Sequence, residues 1–167
     1  MYDELTEVDL KKMREELEHR INTLRPQLLE DVKTARAFGD LSENFEYRAA
    51  KREKSRNDSR IRYLERMIST ARVISVRSAA DTVGLFDTLE IYYEEDDETQ
   101  VIKLVTTLRQ NVLKGLVSKE SPVGKALLGR RAGERVFVEV SPEYRCHIII
   151  RSIEKGRDDE SLPISAY

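Results

Sequence analysis

The chain is poor in the residues that staple or rigidify small folds. It has one cysteine, no tryptophan, four prolines and seven glycines among 167 residues. A single thiol, Cys146, excludes an internal disulfide framework and any zinc site needing two or more cysteines. It reads as a small buried apolar residue. Aromatics amount to 7% of the chain, which argues against a core dense in aromatic strands. No run of about 18 apolar residues exists, so no membrane-spanning helix is expected. The first ten residues, MYDELTEVDL, are acidic and polar. A signal peptide is therefore not expected, and the cytoplasm is the expected location. An excess of one charge sign is also missing. Lys and Arg total 29 against 31 Asp and Glu, a net of −2. That excludes a uniformly basic nucleic-acid binder but leaves local patches open.

Charge and helical periodicity are abundant. Charged residues make up 36% of the chain. From Thr6 to Phe38 there is no glycine, and apolar residues recur as Leu10, Met13, Leu17, Ile21, Leu24, Leu28, Val32 and Ala35. Their spacing averages about 3.6 residues, which is helical. The 3-4-4 order repeats every eleven residues, giving at most a slight right-handed supercoil. Pro26 lies inside this run. It removes a backbone donor, so a bend is expected near residues 22–26, without a stop. Gly39 is expected to end the helix in a left-handed conformation. Ser42 or Asp40 is the expected cap of a second helix from about Glu43 to Arg72. Folding the two helices back about residue 41 places Ile21 opposite Ile61, Leu17 opposite Leu64 and Met13 opposite Ile68. Helices of about 30 residues would be roughly 45 Å long. Residues 1–76 thus read as a long antiparallel finger with its tip at residues 39–44.

Beyond residue 76 the pattern changes to short β-rich runs. Strands are expected at 88–93, 100–106, 133–140 and 145–153, with turns at Glu94–Glu98 and Ser141–Glu143. A short helix is expected at Pro122–Leu128, ended by Gly129. The expected fold class is α+β: an N-terminal helical hairpin, then an antiparallel sheet of four or five strands with one short helix. Residues 77–156 form the second domain, and 157–167 read as a tail.

The tip carries chemistry. Asp40 and Glu43, three residues apart at a helix start, can converge on one cation, and oxygen donors suit Mg²⁺. Acids at helix N-termini are also common as dipole partners, so spacing alone leaves both readings open. Residues 48–62 hold Arg48, Lys51, Arg52, Lys54, Arg56, Arg60 and Arg62 against Glu53 and Asp58, a net of +5. Most recur at four-residue spacing. Such a stripe is either a solvated helix face or an attractor for nucleic-acid phosphates. His19 and His147 lack any metal-ligand spacing, and the acidic turn at Glu94–Glu98 reads as a solvated hairpin tip.

The run Gly39-Asp40-Leu41-Ser42-Glu43-Asn44-Phe45-Glu46-Tyr47-Arg48-Ala49-Ala50-Lys51, preceded by Ala35-Arg36, resembles the signature of the bacterial Gre transcript-cleavage factors. Ser121-Pro122-Val123-Gly124-Lys125-Ala126-Leu127-Leu128-Gly129 resembles the second signature of that family. The resemblance implies a coiled-coil hairpin followed by an FKBP-like globular domain that docks on bacterial RNA polymerase. It implies entry of the finger into the secondary channel, where the nascent RNA 3′ end is extruded in backtracked complexes. Asp40 and Glu43 would there share a second Mg²⁺ with the polymerase, bound by neither protein tightly alone. Leu41, Ser42, Asn44 and Tyr47 would support the tip. Arg36, Arg48, Lys51, Arg52, Arg56 and Arg60 would face RNA. Ser121, Pro122, Gly124 and Lys125 would belong to the polymerase-docking face. On this reading the chain is not itself an enzyme: it stimulates the RNA-cleavage activity of the polymerase. A monomer is the default expectation.

One stretch departs from the family pattern. Where relatives usually carry an acidic pair after the second strand, this chain has Arg109 and Lys114. The departure is expected on the polymerase-facing surface. It keeps open a second reading, a Gre-like channel regulator that inhibits without cleavage. A prolyl isomerase is disfavoured, because Phe86, Tyr92, Tyr93, Phe137 and Tyr144 are too few to line an aromatic pocket. A bland coiled-coil adaptor is disfavoured by the tip motif.

Overall fold

The computed structural model describes residues 3–39, 44–158 and 160–165. It is an α+β protein of two compact units. The first comprises residues 1–3 and 10–72, and the second residues 4–9 and 73–167.

The helical unit is built from α1 (Glu7–His19), a π-helical turn (Arg20–Leu24), α2 (Arg25–Arg36) and α3 (Phe45–Thr70). The apolar stripe of the first run turns inward. Leu10, Met13 and Ala35 are buried, and Leu17, Ile21, Leu24, Leu28 and Val32 are half-buried. On α3 the buried stripe is Asn57, Arg60, Ile61, Leu64 and Met67. The two runs are tied in opposite directions. Glu16 accepts from Arg60, Asn57 accepts from Arg20, and Ala35 O accepts from Asn44 Nδ2 at 2.7 Å. Glu16 and Arg20 therefore meet α3 about five residues earlier than folding about residue 41 implies.

The disturbance expected near Pro26 is the π turn. The Arg25 amide bonds back to Arg20 O, five residues earlier, and Pro26 sits in the first turn of α2. A wider turn lets the chain pass the proline ring without the missing amide breaking the helix. It also packs more residues into a given rise. Nineteen residues separate Glu16 from Ala35, yet sixteen separate Asn44 from Arg60. The π turn takes up part of that surplus.

The second unit is a five-stranded sheet in the order β5-β4-β3-β7-β6. The strands are β3 (Thr88–Tyr93), β4 (Glu98–Val105), β5 (Leu116–Ser118), β6 (Arg135–Ser141) and β7 (Tyr144–Glu154). Every pairing is antiparallel except β4 with β5, which is parallel. The sheet is thus mixed. The expectation missed β5 because three residues give too short an alternation to read. The alternating, β-branched run at 73–76 also reads as extended in sequence; of it only Val73 is in a strand, β2 (Arg72–Val73), which pairs with β1 (Glu4–Leu5). The short helix α4 spans Pro122–Leu127 and is followed by Gly129 at φ +80°.

Alternation places Leu89, Ile91, Val136, Val138, Cys146, Ile148 and Ile150 in one core, with Leu104 and Leu127. Each such side chain contributes about 1.5–3 kcal/mol of transfer free energy. A smaller cluster of Phe86, Val105 and Leu116 is covered by Leu162. Residues 157–158 and 160–165, expected to belong to a tail, therefore include contacts with the globular unit. Asp158 pairs with Arg109 at 2.5 Å, and the Ser165 amide bonds to Leu108 O at 2.6 Å.

Candidate functional site

Asp40, Leu41, Ser42 and Glu43 lie outside the described residues. What flanks them is defined. Gly39 sits at φ +127°, a backbone angle that glycine alone adopts without strain. Asn44 is the N-cap of α3, where Asp40 or Ser42 was expected. Its backbone is extended, and its Oδ1 accepts from the Tyr47 amide at 3.0 Å. Its Nδ2 donates to Ala35 O. One amide side chain thus closes both ends of the connection. Asp could not do this, because a carboxylate has no donor, and Ser would have to make both bonds from one oxygen, whereas the amide uses two separate atoms. Nothing in the helical periodicity signals it, although the N-x-x-Y spacing is a cap spacing.

The basic residues divide into two groups. Arg36, Arg48, Lys51, Arg52 and Arg56 are exposed. The Arg48 guanidinium carbon lies 6.0 Å from the Phe45 ring centre, and Lys51 Nζ lies 5.9 Å from that of Tyr47. Arg56 pairs with Glu53 at 2.8 Å, at the surface. Arg60 does not belong to the stripe. It is 4% exposed, and its guanidinium forks onto Glu16 at 2.9 and 3.0 Å. Four-residue spacing carries it onto the buried face because four residues turn a helix slightly more than one full turn, so such a row drifts around the axis. Burial alone would raise the Glu16 pKa, but hydrogen bonds from Arg60 and Arg20 outweigh it and hold the carboxyl below its ordinary value.

The second signature forms α4 and its cap. Ser121 Oγ accepts from the Gly124 amide at 3.0 Å, and Pro122 follows where no amide is needed. Pro122 and Lys125 are exposed, with Lys125 3.3 Å from Glu120. Gly124 is buried and is not a docking contact. A Cβ there would lie 2.1 Å from Ser118 O, so the position demands glycine for close packing.

Arg109 is likewise not at a surface. It is 1% exposed, bonded to Asp9 at 2.7 Å and stacked 5.0 Å from the Phe86 ring centre. The charged stretch therefore turns inward at Arg109, while Val112 and Leu113 beside Lys114 are exposed.

The acidic turn is latched rather than free. Arg135 forks onto Glu94, His147 bonds to Glu95, and the Tyr92 and Tyr144 hydroxyls donate to Asp97 and Asp96. The bond to Asp96 pushes the Tyr144 pKa up to about 12. His147 is not isolated, as its spacing suggested. Among the described residues no cluster of three or more His, Cys, Asp or Glu side chains can hold a metal.

Comparison with known proteins fixes the family. Residues 4–73 match the family model for the N-terminal part of transcription elongation factors, and residues 77–155 match that for the GreA/GreB C-terminal part. The transcription elongation factor GreA of Mesomycoplasma hyopneumoniae strain 7448 is 35% identical over 145 residues, covering 87% of this chain and 91% of that protein. GreA of Thermoanaerobacter pseudethanolicus is 42% identical over 137 residues, covering 81% and 87% respectively. The solved structure of GreA factor homolog 1 from Thermus thermophilus covers 93% of this chain and 100% of its own, at 24% identity and a TM-score of 0.43. The chain belongs to the GreA/GreB family of transcription elongation factors.

Proposed function

We propose that the chain binds bacterial RNA polymerase, inserts its helical unit as a coiled-coil hairpin into the secondary channel, and stimulates cleavage of backtracked RNA. The observation that carries this reading is the intact tip motif on a braced connection. Asn44 ties the end of α2 to the first turn of α3. Asp40 and Glu43 fall between Gly39 and Asn44.

Two carboxylates suit the hard, oxygen-preferring Mg²⁺ but fill only part of a shell of about six donors. They would hold it jointly with carboxylates and phosphates of the transcribing complex. Mg²⁺ bound there supplies charge neutralisation and an acidified water. The chain's own part is to deliver two negative charges to a fixed place. Arg48, Lys51, Arg52 and Arg56, exposed along α3, offer phosphates of the extruded RNA a cationic track. Pro122 and Lys125 present the second signature outward from the globular unit for docking.

The test is cleavage in a stalled, backtracked elongation complex of the cognate polymerase with Mg²⁺. Wild type should accelerate release of 3′ RNA fragments, and Asp40→Asn with Glu43→Gln should abolish the acceleration at equal polymerase binding. Binding without cleavage by either protein would refute the tip assignment and leave a channel-occupying regulator.

A further inference from the structure

Two parts of the globular unit that are distant in sequence meet at one buried contact. Arg109 lies in the short 3-10 turn Thr107–Arg109 that follows β4. Asp158 lies beyond residue 155, where the family match ends. Their side chains pair at 2.5 Å with Arg109 wholly buried. On its other side Arg109 Nε bonds to Asp9 Oδ1 at 2.7 Å. Asp9 Oδ2 accepts from the Thr6 amide, Thr6 Oγ1 accepts from the Asp9 amide, and the Thr6 hydroxyl donates to Asp158. Thr6 and Asp9 are the N-cap and third residue of α1, a reciprocal cap. One guanidinium therefore fastens that cap and the C-terminal segment together.

Further contacts hold the segment on either side. The Gly156 amide and Lys155 Nζ both bond to the two oxygens of Asp87, which is 1% exposed. Asp87 also accepts from the Gly84 amide and so sets the turn that carries Phe86 at φ +66°. A bulky residue held at positive φ needs such surrounding constraint. Past Asp158, Leu162 covers Phe86, Val105 and Leu116, and Ser165 bonds to Leu108 O.

We propose that residues 156–158 and 160–165 form a strap, fastened by Arg109, that clamps the Thr6–Asp9 cap and seals the small Phe86 cluster. The strap depends on the charge of its fastener: an acid at position 109 would repel Asp9 and Asp158 alike. The sheet core of Leu89, Ile91, Ile148 and Ile150 does not depend on it. This inference needs no assumption about transcription.

Amide hydrogen exchange on the full chain tests it. A chain ending at Lys155 should exchange at least tenfold faster at residues 6–10 and 105–109, with β3 and β7 unchanged. In the full-length chain, Gly156→Ala should do the same, because its Cβ would lie 1.8 Å from Phe86 O and force the strap away. Asp158→Asn should give a smaller increase at the same residues, and Asp158→Glu should restore most of the protection. Unchanged protection at residues 6–10 after truncation would overturn the proposal. So would loss of protection throughout β3 and β7, which would make the segment part of the core rather than a clamp.

Discussion

Asn44 makes two bonds to opposite sides of the tip connection, and their separate contributions can be measured. Asn44→Ala removes the cap of α3, at about 1 kcal/mol. It also removes the donor to Ala35 O, at about another 1 kcal/mol for a hydrogen bond to a carbonyl of a buried residue. The sum, about 2 kcal/mol, corresponds to roughly a 30-fold rise in local opening, since 1.4 kcal/mol is a factor of ten. Asn44→Asp separates the two. It keeps the acceptor for the Tyr47 amide, and its charge suits a helix N-terminus. It loses the donor and sets a carboxylate against the Ala35 carbonyl. Amide exchange at Tyr47 and Arg48 should therefore speed up about 30-fold in the alanine variant and much less in the aspartate variant. Exchange at Ile61 and Leu64, deep in the buried stripe, should stay near wild type in both. If the proposed function holds and the brace positions the tip, both variants should also lower transcript cleavage in the elongation-complex assay, since both lose the bond to Ala35. Wild-type exchange at Tyr47 in Asn44→Ala would refute the reasoning, because the cap would then contribute nothing.

Arg60 and Arg56 look alike in sequence and should behave oppositely. Arg60→Met strips a forked partner from half-buried Glu16 and should lower unfolding stability in urea by about 2–3 kcal/mol, below the full cost of breaking a fully buried pair. Arg56→Met breaks only a surface pair and should change stability by less than about 0.5 kcal/mol. Acid titration of stability gives a further test. Glu16 has a folded-state pKa below its ordinary value of 4.5, so its contribution is present above that value and is lost as pH falls through the folded pKa. Glu16→Gln should flatten that acid limb in a pH series of urea midpoints while leaving the slope near neutrality unchanged.

The helices and most strands were legible because each carries a long, single-period signal. The stripe from Leu10 to Ala35 is buried or half-buried at every position. The strands at 88–93 and 145–153 were placed within a residue by their alternation. What failed was local or long-range. The parallel strand Leu116–Ser118 is too short to alternate visibly. The pairing register of the helices could not be read, because neither the π turn nor the Asn44 cap leaves a mark in apolar spacing. Arg60 and Gly124 were given contact roles because residue type and motif membership say nothing about which way a side chain faces. The tip motif itself was legible only as a motif, since two acids at a helix start have an ordinary alternative as dipole partners.

Arg109 shows why charge in a sequence is a poor guide to surface. A cation in a divergent stretch reads as altered docking chemistry, because unpaired charges are rarely buried. Its burial depends on carboxylates from positions 9 and 158, 100 residues upstream and 49 downstream. No local window contains that information. A buried ion pair is also weak evidence for added stability, because desolvation offsets much of the attraction. Its clearer consequence is specificity of arrangement. With one guanidinium between two carboxylates, loss of the strap would leave Arg109 its bond to Asp9, whereas loss of Arg109 would leave two acids facing one another. The arrangement therefore tolerates removal of the strap better than removal of its fastener. Truncation at Lys155 should yield a folded chain, and Arg109→Met in the full chain should be the more damaging change.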